Sequence, residues 1–380
     1  MSKETDFEKA LRLKGYGSFK KKYSESDKKR IEAVKKVGDL RVKPKVITSL
    51  KDYIEFIETL ETSYENPVFY RGQGNANYLI NSSALRINPV NELKMIDSFR
   101  RRFSTNIDSC VNNMDRLILM QHFGLPTRAL DITENPLAAL YFACSPMKKF
   151  NKNPQSELDA WGEIAVFKET KELKSISSTT VSIIASTAFM ENDFSLWQLG
   201  MEYKKDNNYD RDESYIPLKD ILRRSVIVRV PQNNPRIKNQ QGAIILINAS
   251  EINSINKNEE KAEELTDFIL SNEDEICFID LINSKKWSKL FSEDQATWEL
   301  EFTKIKPYSD ENKNKIFDTD PFDLHRLFYK DENENQLVAL IPPKAKPKIT
   351  EELARFNITE DFIYPDMDNV ANEIKEQINK

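Results

Sequence analysis

The stretch Leu119-Met-Gln-His-Phe-Gly-Leu-Pro-Thr-Arg-Ala-Leu-Asp-Ile-Thr-Glu-Asn-Pro-Leu-Ala-Ala-Leu-Tyr-Phe-Ala143 constrains the fold more than any other part of the chain. Leu117, Leu119, Met120 and Phe123 give a helix its apolar positions, and Gly124 can take the left-handed conformation that ends one. Pro126 forbids its continuation. A second helix is predicted to open with Thr133 as N-cap and Pro136 in the first turn, where a missing N–H costs nothing. Its apolar residues Leu137, Leu140, Tyr141 and Cys144 follow helical spacing. Between the two helices lie His122, Thr127, Arg128, Asp131 and Thr133. A polar set held between two apolar helices must bond within itself or to a ligand.

The three cysteines, Cys110, Cys144 and Cys277, are far apart with no Cys-x-x-Cys, which excludes a disulfide framework and a cysteine zinc site. The two histidines, His122 and His325, do not argue for a metal. The chain holds no run of about 18 apolar residues, and its N-terminus has no signal-type apolar segment. A soluble, cytoplasmic protein without a membrane partner is expected.

Charge is unevenly placed. Residues 1–45 carry 15 Lys and Arg against 7 Asp and Glu, net +8, and the remainder carries 41 against 54, net −13. The basic N-terminal arm could touch nucleic acid, or it could be a helix, Ser26 to Val37, lying on the acidic body. A body of that charge is a poor platform for phosphate backbones.

Along the chain, Pro44 breaks the pattern and Ser49 caps an amphipathic helix to Leu60. Val68 to Tyr70 reads as a strand with Arg71-Gly-Gln-Gly74 at its carboxyl end, where Gly72 and Gly74 suit a close approach and Arg71 suits a phosphate or carboxylate. The alternative for Arg71 is a tie to a core aspartate such as Asp131. Asn91 to Asn106 and Asp108 to Phe123 are predicted helices, and Glu163 to Phe167, Ser225 to Val230 and Ala243 to Ile247 predicted strands. Gly242 suggests that a backbone or ligand comes close to Gln240 and Gln241. Asn258 to Asn272 reads as a helix, and Glu275 to Ile282, Ala296 to Ile305 and Leu337 to Ile341 as strands. On the second of these, Glu299 and Glu301 share a face, which a solvated acidic face would explain without a function. The tail from Ile349 reads as two helices joined at Tyr364-Pro365-Asp366.

Four blocks in order, Tyr70-Arg71-Gly72-Gln73, the central stretch, Arg236 with Asn239-Gln240-Gln241-Gly242, and Tyr364-Pro365-Asp366, resemble the FRG-domain family, named for its Phe/Tyr-Arg-Gly motif. One departure is Ile132, where the family usually carries Trp. The resemblance implies a domain over 46–380 after the arm of 1–45, with insertions near 168–225 and 251–335. It also suggests a remote kinship to ADP-ribosyltransferases. The fold expected on that basis is α+β, a mixed, partly split β-sheet flanked by helices, with an ADP-ribosyltransferase-like core and insertions.

By that kinship Arg71 would bind the NAD diphosphate, and Thr127, Asp131 and Thr133 would line the nicotinamide side. Tyr70, Gly72, Gln73, His122 and Arg128 would complete the nucleotide site. The third catalytic element would be Gln241, or Glu299 and Glu301. The expected activity is an NAD-using ADP-ribosyltransferase or NAD hydrolase of a bacterial toxin or anti-phage defence setting, with NAD as substrate, a protein acceptor or partner, and no metal. A Gln cannot supply the negative charge that a glutamate supplies, so a nucleotide-sensing or protein-interaction module without turnover stays open.

Overall fold

The computed structural model describes residues 41–76, 80–86, 92–145, 160–169, 173–207, 215–232, 234–254, 258–272, 274–289, 300–304 and 324–365. The predicted helix at Ser26 to Val37 lies outside them. The strands are β1 (Arg41–Val46), β2 (Val68–Gln73), β3 (Ala129–Thr133), β4 (Gly162–Lys168), β5 (Lys174–Ser175), β6 (Asp193–Ser195), β7 (Val226–Arg229), β8 (Gly242–Leu246), β9 (Ser250–Ser254), β10 (Glu301–Lys304) and β11 (Asn335–Ile341). Eight form a mixed sheet in the order β1-β11-β4-β2-β3-β8-β7-β5, and β6-β10-β9 form a second, antiparallel sheet. In the large sheet the outer pairs β1–β11 and β5–β7 are parallel and the inner pairs antiparallel.

The helices that matter for the site are α1 (Leu50–Glu58), α2 (Glu92–Arg102), α3 (Asn113–His122), α4 (Pro136–Cys144), α5 (Thr179–Ser186), α6 (Leu196–Asn207), α7 (Pro235–Gln240), α8 (Glu259–Ser271), α9 (Phe278–Asn283), α10 (Lys346–Ala354) and α11 (Glu360–Ile363). Among the described residues no helix is long and apolar enough to cross a membrane.

Residues opposite one another across a ladder share a face of the sheet. Tyr70 lies opposite Val166 and Asp131 opposite Ile244, so these four stand on one face. Two helical groups cover that face. One, with α1, α4 and α10, packs Tyr53, Leu140 and Ile349 on Tyr70, Ile164 and Val166. The other, with α3 and α5, packs Leu117, Met120, Val181 and Ile184 on Ala129, Ile244 and Leu246. The opposite face carries Phe69, Leu130, Ile132, Ala165 and Phe167, with Leu324 and Leu327 against them. The second sheet has its own core, in which Phe194 stacks on Phe302.

Several expectations change. Residues 129–133 were expected within a turn between two helices, but they form β3, an interior strand of the large sheet. Leu130 and Ile132 stand on one face and Ala129, Asp131 and Thr133 on the other, all buried but Asp131, and five residues are too few to declare a strand locally. The N-cap of α4 is accordingly Asn135, which accepts from the N–H groups of Leu137 at 3.0 Å and Ala138 at 3.3 Å. Thr133 is not the cap. Gly124, at φ 82°, does end α3 in the left-handed region. Residues 41–45, read as part of the arm, are strand β1, and Pro44 is tolerated there because β1 is an edge strand. The sequence predicts a strand over Glu275 to Ile282, but α9 occupies its second half, with Cys277 as N-cap and the Asp280 carboxylate accepting from the Cys277 N–H at 3.3 Å. Within the stretch read as an insertion, α5 is buried along its length from Thr180 to Ser186.

Candidate functional site

The Tyr-Arg-Gly block is built around a close helix contact. A Cβ on Gly72 would stand 1.8 Å from the carbonyl oxygen of Ala139, and one on Gly162, on the adjacent β4, 2.3 Å from that of Ala143. The Ala-rich α4 therefore lies directly on two glycines. The space at Gly72 is filled by α4 and does not admit a ligand. Gly74 is buried, and its carbonyl accepts from the Lys346 ammonium at 2.7 Å.

Arg71 leaves β2 on the face opposite Tyr70. β2 and β3 pair at one position only, Tyr70 with Thr133, so the sheet is split beyond it. Arg71 Nη1 reaches across and donates to the main-chain carbonyl of Asp131 at 2.5 Å. The bond is to the Asp131 backbone and not to its carboxylate. Tyr70 is buried, which pushes its phenol up to about 12. Gln73 is also buried and donates to Glu163 at 3.0 Å.

Asp131 is the exception on β3, exposed where its neighbours are buried, because the two helical groups leave the face open between them. Gln121, from the end of α3, donates to its carboxylate at 2.6 Å and accepts from the Thr127 hydroxyl at 3.0 Å. The amide is held at both ends and fixes the carboxylate. Arg128 is not in this set. It is 2% exposed, its guanidinium binds both oxygens of Glu92 at 2.7 to 3.2 Å, and its remaining donors go to Thr187 and the Ile184 carbonyl. Arg128 lies in the core, where a charge so buried must be paired within the protein, and Glu92 pairs it. His122 is exposed at the end of α3, its ring 5.3 Å from that of Phe123.

The two late blocks arrive at the same open seam. The Thr133 hydroxyl donates to the Gln240 carbonyl, and Glu134 N–H to the Gln241 carbonyl at 3.0 Å. Asn239 and Gln240 donate to the carbonyls of Phe362 and Ile363 at 2.8 and 2.9 Å, joining α7 to α11. The Arg236 guanidinium then lies 5.0 Å from the centre of the Tyr364 ring, and Phe142 of α4 meets Tyr364 edge-on at 6.2 Å. Burial pushes the Tyr364 phenol up. Arg236 opposes that shift, while Glu360 and Asp131 add to it, which puts Asp131 and Tyr364 within each other's field. Gln241 is exposed and caps α7 in the left-handed conformation at φ 46°. A Cβ on Gly242 would make only ordinary contact with Ile237 at 3.5 Å, so the special backbone is at Gln241 and not at Gly242.

Residues 66–152 match the model of the FRG domain. The chain carries an FRG domain. No curated protein and no solved structure matches it. The matched range of the FRG domain supplies β2, α3, β3 and α4, hence Arg71, Gln121, Asp131 and Phe142, whereas Arg236 and Tyr364 lie beyond it and close the site.

Glu301, a candidate third element, lies on the second sheet, paired with Ser195 and Ser254, and not on the sheet that holds Asp131. Glu299 falls outside the described residues. Gln121 and Tyr364 received no role from the sequence, although both stand inside the recognised blocks. Membership of a block was the only available signal, since neither residue has an unusual spacing of its own. Among the described residues no three His, Cys, Asp or Glu side chains are grouped to hold a metal ion.

Proposed function

We propose that the open seam between the two helical groups binds NAD or a related nucleotide and that the protein is an NAD-cleaving enzyme of the ADP-ribosyltransferase or NAD hydrolase class. The observation that supports this is the convergence of all four blocks, far apart in sequence, on β3 around Asp131: Gln121 bonds its carboxylate, Arg71 its carbonyl, and the block of Arg236, stacked on Tyr364, is bonded to the adjacent Thr133 and Glu134. Cleavage of the nicotinamide bond leaves positive charge on the ribose, and a fixed carboxylate stabilises it as it forms. Asp131 is the group held ready for that. Arg236 is the guanidinium for the diphosphate, with Tyr364 and Phe142 as aromatic walls. Arg71 positions the Asp131 main chain. With water as acceptor the products are nicotinamide, ADP-ribose and a proton, and loss of NAD would suit a toxin or anti-phage role.

Gln241 favours a second reading. It is neutral where a transferase would use a carboxylate, and binding without turnover is what an uncharged third element supports. Incubation of the purified chain with NAD separates the two. Nicotinamide release that is lost in folded Asp131→Ala and Arg236→Met variants supports the enzyme. NAD that raises the melting temperature without release selects the binding module. Neither release nor a shift refutes both.

A further inference from the structure

At the end of α2 the chain reads Phe99-Arg-Arg-Arg-Phe103, and this run meets Phe123, two residues beyond the Gln121 that bonds Asp131. Phe99 is half-buried and packs on the core beneath α3 and α5, which fixes its ring. The rings of Phe103 and Phe123 lie against it at 4.8 and 6.4 Å between centres, tilted from its plane by 41° and 36°. Both stand in water, 48% and 65% exposed. His122, also exposed, meets the Phe123 ring edge-on at 5.3 Å. Together they make a continuous aromatic surface anchored from below by Phe99.

The three arginines within this run are all exposed, and they are not all used by the protein. Arg100 pairs with Asp108 at 3.4 Å, and Arg101 donates to the Ser98 hydroxyl at 3.4 Å. Among the described residues no carboxylate pairs with Arg101 or Arg102. Their place in the last turn of α2 suits the helix dipole. The dipole does not account for Phe103 and Phe123 held in water beside them.

A partner for this surface must carry flat apolar faces and negative charge in one molecule. A second copy docked about a two-fold axis would set one arginine cluster against the other. A bilayer does not fit either, because α2 turns Ile96 into the core and keeps no free apolar face to lie among lipids. A single-stranded nucleic acid carries both features, bases that stack on rings and phosphates that pair with guanidinium groups. In a duplex the base faces cover one another and the rings cannot reach them. The chain after residue 45 has a net charge of −13, so a long phosphate track is unfavourable and the contact is short.

We infer that Phe99, Phe103 and Phe123, with Arg101 and Arg102, form a binding surface for single-stranded nucleic acid. It is distinct from the nucleotide seam and does not depend on NAD cleavage there.

Fluorescence anisotropy tests it, using the full chain and a labelled strand of about 12 nucleotides as DNA, as RNA and as the DNA duplex. One of the single strands should bind at least about tenfold more tightly than the duplex. Phe103→Ala and Phe123→Ala change exposed side chains and should keep the wild-type urea midpoint, yet each should weaken that strand at least about fivefold, the loss of one base–ring stack. Phe123→Trp should bind at least as tightly as the wild type. Arg101→Gln with Arg102→Gln should weaken binding and make the slope of log K against log salt shallower by about 1.4, roughly 0.7 for each phosphate. The inference is overturned if no single strand binds the folded wild type, or if the duplex binds as tightly. It is also overturned if both folded Phe→Ala variants bind as the wild type does, which would assign binding to the basic arm. Displacement of the strand by a glutamate–tyrosine copolymer or by phosphatidylserine vesicles at lower concentration than unlabelled strand would overturn it in favour of an acidic protein or a membrane.

Discussion

Gly72→Ala separates a glycine that serves packing from one that serves a ligand. The added methyl would stand 1.8 Å from the Ala139 oxygen, 2.8 Å from its carbonyl carbon and 2.9 Å from the Ala143 nitrogen. All three atoms are backbone of α4, so no side-chain rotation relieves the contact. Carbon–oxygen contacts settle at roughly 3.3 Å, so α4 must withdraw from β2 by about 1.5 Å. Ala138, Ala139 and Leu140 are fully buried under α1 and α10, and the withdrawal disturbs that packing as well. Overpacking costs about 1–3 kcal/mol, and a backbone clash beneath a buried helix belongs at the top of that range, about 3 kcal/mol. Urea unfolding followed by circular dichroism should show a lower midpoint with an unchanged slope. Gly162→Ala, 2.3 Å from the Ala143 oxygen, should behave alike. A Gly72→Ala protein within about 0.5 kcal/mol of wild type that nevertheless lost nucleotide binding would refute the packing argument.

Arg128→Met leaves Glu92 buried without its main partner and should cost about 3–5 kcal/mol in the same unfolding assay, whereas Arg128→Met with Glu92→Leu should recover most of it. Lys304 on β10 is partly buried and pulled down to about 7 by burial, against the pull of Glu92. Between pH 7 and 10.5 the unfolded chain therefore binds more protons at this site, so stability rises with pH across that window, and Lys304→Met should flatten the rise in urea midpoints. Asp206 is pushed up to about 6 by burial, with Arg116 opposing, so its contribution falls as pH rises from 3.8 to 6 and Asp206→Asn should remove that slope. Gln241→Gly relieves a left-handed residue and should stabilise by about 0.5–1 kcal/mol by thermal or urea unfolding.

Local chemistry made much of this legible in the sequence. Gly124 ends α3, Pro136 opens α4, and Asn258 caps α8 because caps and breakers act within a few residues of themselves. The blocks carrying Arg71, Asp131, Arg236 and Tyr364 were visible for the same reason: each is a short run. Their roles were not visible. Whether Gly72 meets a ligand or a helix depends on how closely α4 approaches β2, and that is decided by Ala139, some 67 positions away. Arg128 and Arg71 carry the same guanidinium, yet one is sealed against Glu92 and the other holds the Asp131 backbone, because burial differs between them. β3 reads as a turn in the sequence because an interior strand of five residues gains its stability from the ladder with β8, not from its own pattern. Periodicity and capping are properties of neighbours in the chain and can be read there. Burial, pairing and the open seam at Asp131 depend on residues that meet only when distant segments fold together, and the tertiary structure alone decides them.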